Sequence, residues 1–417
     1  MVGCNRGSSY IIHDATLLTL APLAARASAA VAVGEVDLGI VAGGTLVVDA
    51  GRIVAAGKRA DCEAAVRSLR ARSSAVMEID ADQAVVMPGL IDAHTHALFA
   101  GNRIDDLADL AAGRSPQLGM RYTIAQTRAR SEDELIEIGG RHLALMRDHG
   151  TTTAEVKSGY ELTTAGELRL LSVLASLDRR ADLPHVVPTF CGAHALPPEF
   201  KDYGSFVDEL CERTLPAVAR QSVAAFADAF CEQGFFSAEQ SERFLKSAAQ
   251  QGLRSRIHAD ELHHSGGSRV AARISSVSAD HLNFADAEDI AALSDAGCIA
   301  VLCPGTVFYL GLERYAPAQA LSDAGVPLAL ATDFNPGTCP SASLQMIAFL
   351  ARRHLGMTPS QTIAALTLNA AHALCLASVT GSLTSGKRGD AIVLGIKDYR
   401  EFGYHFGCNL VARTFLG

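Results

Sequence analysis

The chain has 417 residues, of which 49% are apolar and 19% charged, so it can build a large core and general disorder is excluded. Lys and Arg number 36 against 45 Asp and Glu, a formal charge of −9, which argues against nucleic acid as a partner, and an aromatic share of 6% without Trp leaves few platforms for stacking bases. The length suits an α/β barrel of about 250 residues with a smaller companion domain.

The run Ala15-Thr-Leu-Leu-Thr-Leu-Ala-Pro-Leu-Ala-Ala25 imitates a secretory leader but has no basic stretch beside it, and Tyr10 to Leu20 is expected as a retained β-strand. No apolar run is long enough for a bilayer span, so no membrane partner is expected. Residues 40–57 are short β-branched runs broken by Gly and by Asp49-Ala-Gly51, a hairpin pattern. From Val85 onward eight apolar runs alternate with helical stretches such as Glu132 to Met146, Ala165 to Ser176, Ala238 to Ala249 and Ala287 to Ala296. The runs are Val85 to His94, Thr151 to Val156, His185 to Cys191, Phe226 to Cys231, Arg254 to His258, Ser275 to His281, Cys298 to Cys303 and Pro327 to Ala331. Eight strands separated by helices predict a (β/α)₈ barrel of the α/β class. Gly-rich turns and a further strand return at Gly381 to Leu394. The expected division is therefore 1–80 and 379–417 as one small β-sandwich domain built from both ends, with the barrel over 81–378. The ten cysteines are scattered, without C-x-x-C, and read as reduced thiols of a cytoplasmic protein.

Polar groups gather where the barrel strands should end. The first ends Asp92-Ala-His-Thr-His96, the second runs into Lys157-Ser-Gly-Tyr160, the third into His194, the fifth ends His258-Ala-Asp-Glu261, the sixth Ala279-Asp-His281, and the eighth Thr332-Asp-Phe-Asn335. Residues i and i+2 of a strand share a side, so His94 and His96 can aim at one ion, whereas on a helix they would diverge by about 200°. His258, His281 and Asp333 at other strand ends turn this pair into a candidate open metal site suited to zinc or non-haem iron. His13, His142, His149, His185, His263, His264, His354, His372 and His405 have no such placement and read as structural.

The segment Met87-Pro-Gly-Leu-Ile-Asp-Ala-His-Thr-His96 resembles the first-strand signature of the amidohydrolase superfamily. More specific blocks resemble the branch of that family that opens the ring of 4-imidazolone-5-propanoate to N-formimidoyl-L-glutamate in histidine degradation. They are Gly101-Asn-Arg103, Val156-Lys-Ser-Gly-Tyr160, Cys191-Gly-Ala-His194, His258-Ala-Asp-Glu-Leu262, Ser278-Ala-Asp-His-Leu282 and Thr332-Asp-Phe-Asn-Pro-Gly337. The resemblance implies metal ligation by His94, His96, His258 and Asp333, with one Zn²⁺ or Fe³⁺ per subunit, because the fourth strand offers no lysine to bridge a second ion. It implies substrate contacts from Arg103, Tyr160, His194, Glu261, His281, Asn335, Gly337 and Thr338, catalytic parts for Asp333, Glu261 and His281, and a homodimer. Arg103 suits a carboxylate because its planar fork matches two oxygens at once. Lys157 has no assigned role; pairing with a nearby acid is one reading. The branch usually carries three glycines in the segment after the first strand, whereas this chain has Leu118-Gly-Met-Arg-Tyr-Thr123, which leaves the shape of that loop open. The competing readings are another amidohydrolase, a deaminase or cyclic amidase acting on a small carboxylated heterocycle, and a silent barrel scaffold. The presence of Asp333, Glu261 and His281 together argues against the scaffold.

Overall fold

A computed structural model of the protein describes residues 2–72 and 76–417. The strands, in chain order, are β1 Val2–Cys4, β2 Tyr10–Leu18, β3 Ile40–Asp49, β4 Arg52–Lys58, β5 Met77–Asp80, β6 Val85–Pro88, β7 Leu90–Asp92, β8 Thr151–Lys157, β9 His185–Ala193, β10 Phe226–Cys231, β11 Arg254–Ala259, β12 Ser278–His281, β13 Ile299–Leu302, β14 Leu328–Leu330, β15 Ala391–Leu394 and β16 Val411–Phe415. They make two sheets. β7 to β14 pair in sequence order, all parallel. Just beyond β7 and β14 the ring is drawn shut by a bridge between Thr95 and Phe334, with Asp333 N–H donating to His94 O and His96 N–H to Phe334 O, each at 3.0 Å. Helices follow the strands, the long ones over Glu132–Asp148, Thr164–Asp178 and Ala238–Gln250, with Ser131, Thr163 and Ser237 each accepting a first-turn N–H. This is the expected (β/α)₈ barrel.

The second sheet is mixed and joins the two ends of the chain in the order β1-β16-β15-β6-β2-β3-β4, with β5 on β2. β2, which takes in the start of the leader-like run, Ala15 to Leu18, lies at its centre and pairs with β3, β5 and β6, while Ala21–Ala24 turn into a short helix. The β3–β4 hairpin turns through Ala50 and Gly51, both at positive φ (46° and 73°), whose twist matches the flanking strands. Tyr10, Ile12, Leu46, Val48, Val86 and Phe415 form its buried core.

The run expected as one first barrel strand from Val85 to His94 divides. β6 belongs to the terminal sheet, pairing with β15, and only β7 enters the barrel. Gly89 lies between them, and a Cβ there would sit 2.2 Å from Thr152 Oγ1, so the crossing depends on a residue without a side chain. His94 and His96 thus follow directly on β7. No helix among the described residues is long and apolar enough to cross a membrane.

Candidate active site

All twelve residues singled out from the sequence lie at the C-terminal mouth of the barrel or in the loops immediately above it, although they come from seven separated stretches of chain. His96 Nε2 is 3.2 Å from His258 Nε2, and Asp333 Oδ1 is 3.6 Å from both His94 Nε2 and His96 Nε2. Ligands held about 2.1 Å from one ion at angles of 90–109° are about 3.0–3.4 Å apart. The donor set fits an ion on a second count: His94 Nε2 and Asp333 Oδ1 are buried and have no hydrogen-bond partner, an arrangement that is costly unless something binds them. Burial first, and then neighbouring cationic groups, push His94, His96 and His281 well below the ordinary imidazole range, keeping all three rings neutral, the state in which His94 and His96 could bind an ion.

Two of these rings, His94 and His258, are each aimed by a carboxylate that is itself pinned by a buried cation. His94 Nδ1 meets Asp280 Oδ2 at 2.6 Å, and Asp280 is held by Arg256 Nη2 at 3.0 Å and Ser278 Oγ at 2.6 Å. His258 Nδ1 meets Asp228 Oδ1 at 2.8 Å, and Asp228 Oδ2 receives Lys157 Nζ at 2.6 Å. Lys157 also reaches Glu155 Oε1 at 2.7 Å, and Glu155 Oε2 accepts Thr95 N–H from between the first two histidines. Burial opposes the charge on Lys157, but Asp228 and Glu155 outweigh it and raise the amine above its usual value. Lys157 is therefore committed to structural ion pairs. His96 is held differently: its ring stacks on His194 at 4.7 Å with 12° between planes, and His194 Nδ1 is fixed by Gly159 O at 3.0 Å.

Asp333 sits at φ 51° and His281 at φ 76°. Such left-handed backbone is strained for these residues and is common where a side chain must be aimed. Thr306 Oγ1 donates to Asp333 Oδ2 at 3.0 Å, leaving Oδ1 towards the histidines. Burial pushes the Asp333 carboxyl up to about 6, and burial together with Asp333 and Glu232 pushes Glu261 well above the usual range. His281 Nε2 is 3.7 Å from Glu261 Oε2, and neither of its ring nitrogens has a hydrogen-bond partner.

A cavity of about 270 Å³ opens on this cluster, and Arg103, Tyr160, His194, Glu261, Asn335 and Thr338 line it. Asn335 shapes the last loop, accepting from Gly337 N–H and Thr338 N–H at 2.8 Å each through Oδ1 and donating to Thr338 Oγ1 at 2.7 Å. Gly337 contributes by lacking a side chain: a Cβ there would fall 1.9 Å from Arg103 Nη1. The open Leu118–Thr123 segment proves to be the start of the helix Gly119–Arg128, and Gly119 and Met120 form part of the cavity wall.

Asp228, Asp280, Arg256 and Thr306 escaped the reading of the sequence. For Asp228 a signal exists, since it is the one charge in the apolar strand Phe226–Cys231, and a charge in a fully buried strand must be paired; Arg256 and Asp280 stand among other polar residues in their strands. Thr306 carries no such mark.

Neutral imidazoles and one carboxylate converging at the mouth of a (β/α)₈ barrel define the class, a metal-dependent barrel hydrolase. The model of the amidohydrolase family matches residues 85–404. The imidazolonepropionase of Geobacillus kaustophilus (strain HTA426) is 40% identical over 380 residues, covering 89% of this chain and 88% of that one. That of Haloarcula marismortui is 44% identical over 344 residues, 81% of each chain. Among solved structures, an adenosine deaminase from Xanthomonas campestris with bound zinc shares the fold with a TM-score of 0.69 at 18% identity, covering 98% of this chain and 92% of that one. The chain belongs to the amidohydrolase family and, within it, to the imidazolonepropionases.

Proposed function

We propose that the protein hydrolyses the cyclic amide bond of 4-imidazolone-5-propanoate, giving N-formimidoyl-L-glutamate, with a single Zn²⁺ or Fe³⁺ held by His94, His96, His258 and Asp333, and that it works as a cytoplasmic homodimer. The observation that carries this reading is the pairing, in one cavity, of a carboxylate-binding fork at Arg103 with the histidine and aspartate cluster, in a chain 40% identical to named imidazolonepropionases.

The bound ion would supply a more acidic water and a polarised carbonyl. The chain's residues do the rest. Arg103 grips the propionate, so that the ring projects towards Asp333. The water oxygen bonds to the amide carbon as Asp333 takes its proton, and the carbon–nitrogen bond breaks as that proton passes to the departing ring nitrogen. Thr306 holds the Asp333 carboxylate in the orientation that transfer needs. His281 is placed to donate to the carbonyl oxygen as it gains charge, and Glu261 to hold the ring N–H; His194, neutral through burial and with its Nδ1–H given to Gly159 O, keeps Nε2 as an acceptor for a substrate N–H. Tyr160, whose ring lies 5.8 Å from His96 and 5.4 Å from His194, closes one side of the cavity. Loss of the substrate's ultraviolet absorbance, followed with freshly prepared substrate before and after chelation, tests the reading. Turnover that disappears with the metal and returns on adding zinc or iron is expected; no turnover by the metal-loaded protein overturns it.

A further inference from the structure

We infer that Asp106 is a positioning residue for carboxylate recognition, locking Arg103 and the loop at Leu118–Gly119 into one anion-binding unit. The inference rests on the proposed substrate only in assuming that Arg103 receives a carboxylate. Asp106 is almost fully buried at 2% exposure in the first turn of the helix Ile104–Ala111. It accepts three hydrogen bonds: Arg103 Nε at 2.8 Å and Gly119 N–H at 3.1 Å through Oδ2, and Leu118 N–H at 2.8 Å through Oδ1. These hydrogen bonds, led by that from Arg103, outweigh burial and hold the carboxyl below its usual range.

Arg103 is fixed on two sides. Its Nε is committed to Asp106, and its guanidinium lies directly on the Gly337 backbone, where no other residue would leave room. Nη1 and Nη2 have no hydrogen-bond partner among the described residues and stand at the cavity, the pair a carboxylate needs. The same carboxylate of Asp106 ties down the segment that replaces the expected glycine run. The backbone of Leu118 and Gly119 is drawn to Asp106, which sets Gly119 and Met120 as the cavity wall beside Arg103. The altered loop is thus built onto the arginine that selects the substrate.

An asparagine cannot do the same. It keeps one accepting oxygen where three donors converge, and its NH₂ faces N–H groups in either orientation. Asp106→Asn should therefore release Arg103 and the loop together.

The probe is 3-(imidazol-4-yl)propanoate, compared with its uncharged propanamide, with binding to the metal-loaded protein measured by calorimetry. The ratio of the two dissociation constants reports carboxylate selectivity whether or not the protein turns over the imidazolone, so failure of the proposed reaction shows only in the absorbance assay. Asp106→Asn is expected to reduce that ratio at least tenfold. Asp109→Asn, on the same helix, which breaks a pair with the exposed Arg114 just beyond the helix end, should leave it within twofold, and Asp106→Glu should recover part of the selectivity. With substrate, Asp106→Asn should raise KM far more than it lowers kcat. A ratio unchanged in Asp106→Asn, or a wild-type protein that does not prefer the carboxylate, overturns the inference. If Asp106→Asn is too unstable to measure, the ratio for Asp106→Glu decides: below wild type supports it, unchanged refutes it.

Discussion

Replacing Lys157 by methionine removes a cation while nearly keeping the volume, and the structure sets the size of the effect. Lys157 is fully buried, 2.7 Å from Glu155 and 2.6 Å from Asp228, both also fully buried. At an effective dielectric of about 20, each contact represents about 6 kcal/mol of Coulomb attraction. Much of that offsets the desolvation of three charges, and breaking such a pair from one side typically costs about 3–5 kcal/mol because uncompensated charges stay behind. We expect Lys157→Met to destabilise the metal-free protein by about that amount in urea unfolding followed by circular dichroism. The triple variant Lys157→Met, Glu155→Gln, Asp228→Asn should regain most of the loss, since neutral partners need no cation. Because Asp228 aims His258, the single variant should also bind zinc about 10–100-fold more weakly in a chelator competition, the usual consequence of losing a partner behind a ligand. A single variant within about 0.5 kcal/mol of wild type, or a triple variant no better than the single one, would refute the reasoning.

Arg103→Lys should raise KM at least about tenfold, because an ammonium cannot reproduce the fork; steady-state kinetics with the carboxylated substrate checks it. Gly337→Ala places a methyl group in the space of the Arg103 guanidinium and should likewise raise KM, with a crystal structure showing the arginine displaced. Asp333→Asn should nearly abolish kcat, and retained turnover in metal-reconstituted enzyme would remove Asp333 from proton transfer. Far from the site, burial lowers Lys387 to about 8, below the roughly 10.4 of an unfolded lysine. The unfolded chain then holds the extra proton between those values, so this group's contribution to stability rises with pH from about 8 to about 10. Lys387→Met should remove that rise and make the protein more stable than wild type at pH 7, read from urea midpoints across the range.

The barrel and its mouth were legible because two periodicities speak plainly: runs of strand length alternate with helices, and H-x-H at a strand end projects both rings the same way. The roles of Arg103, Tyr160 and Asn335 came from resemblance, since a loop arginine or asparagine carries no periodic mark. The division of the first run at Gly89 was hidden because Val85 to Ile91 is apolar throughout, and both sheets demand the same residue types. The pairing of Lys157 stood only as one reading, because Glu155 shares its side of β8 but Asp228 is 71 residues away. Asp106 was invisible for the same reason. Its meaning lies in contacts to Leu118 and Gly119, and an acidic residue in a helix's first turn is otherwise unremarkable.

The central claim, attack by water on the cyclic amide carbonyl, is tested most directly by running the reaction in oxygen-18 water and locating the label by tandem mass spectrometry. One heavy oxygen in the newly formed carboxylate of N-formimidoylglutamate, with none incorporated after chelation, is the predicted result. Label in a formyl group, or release of ammonia in step with substrate loss, would place the attack at the amidine carbon and contradict the account.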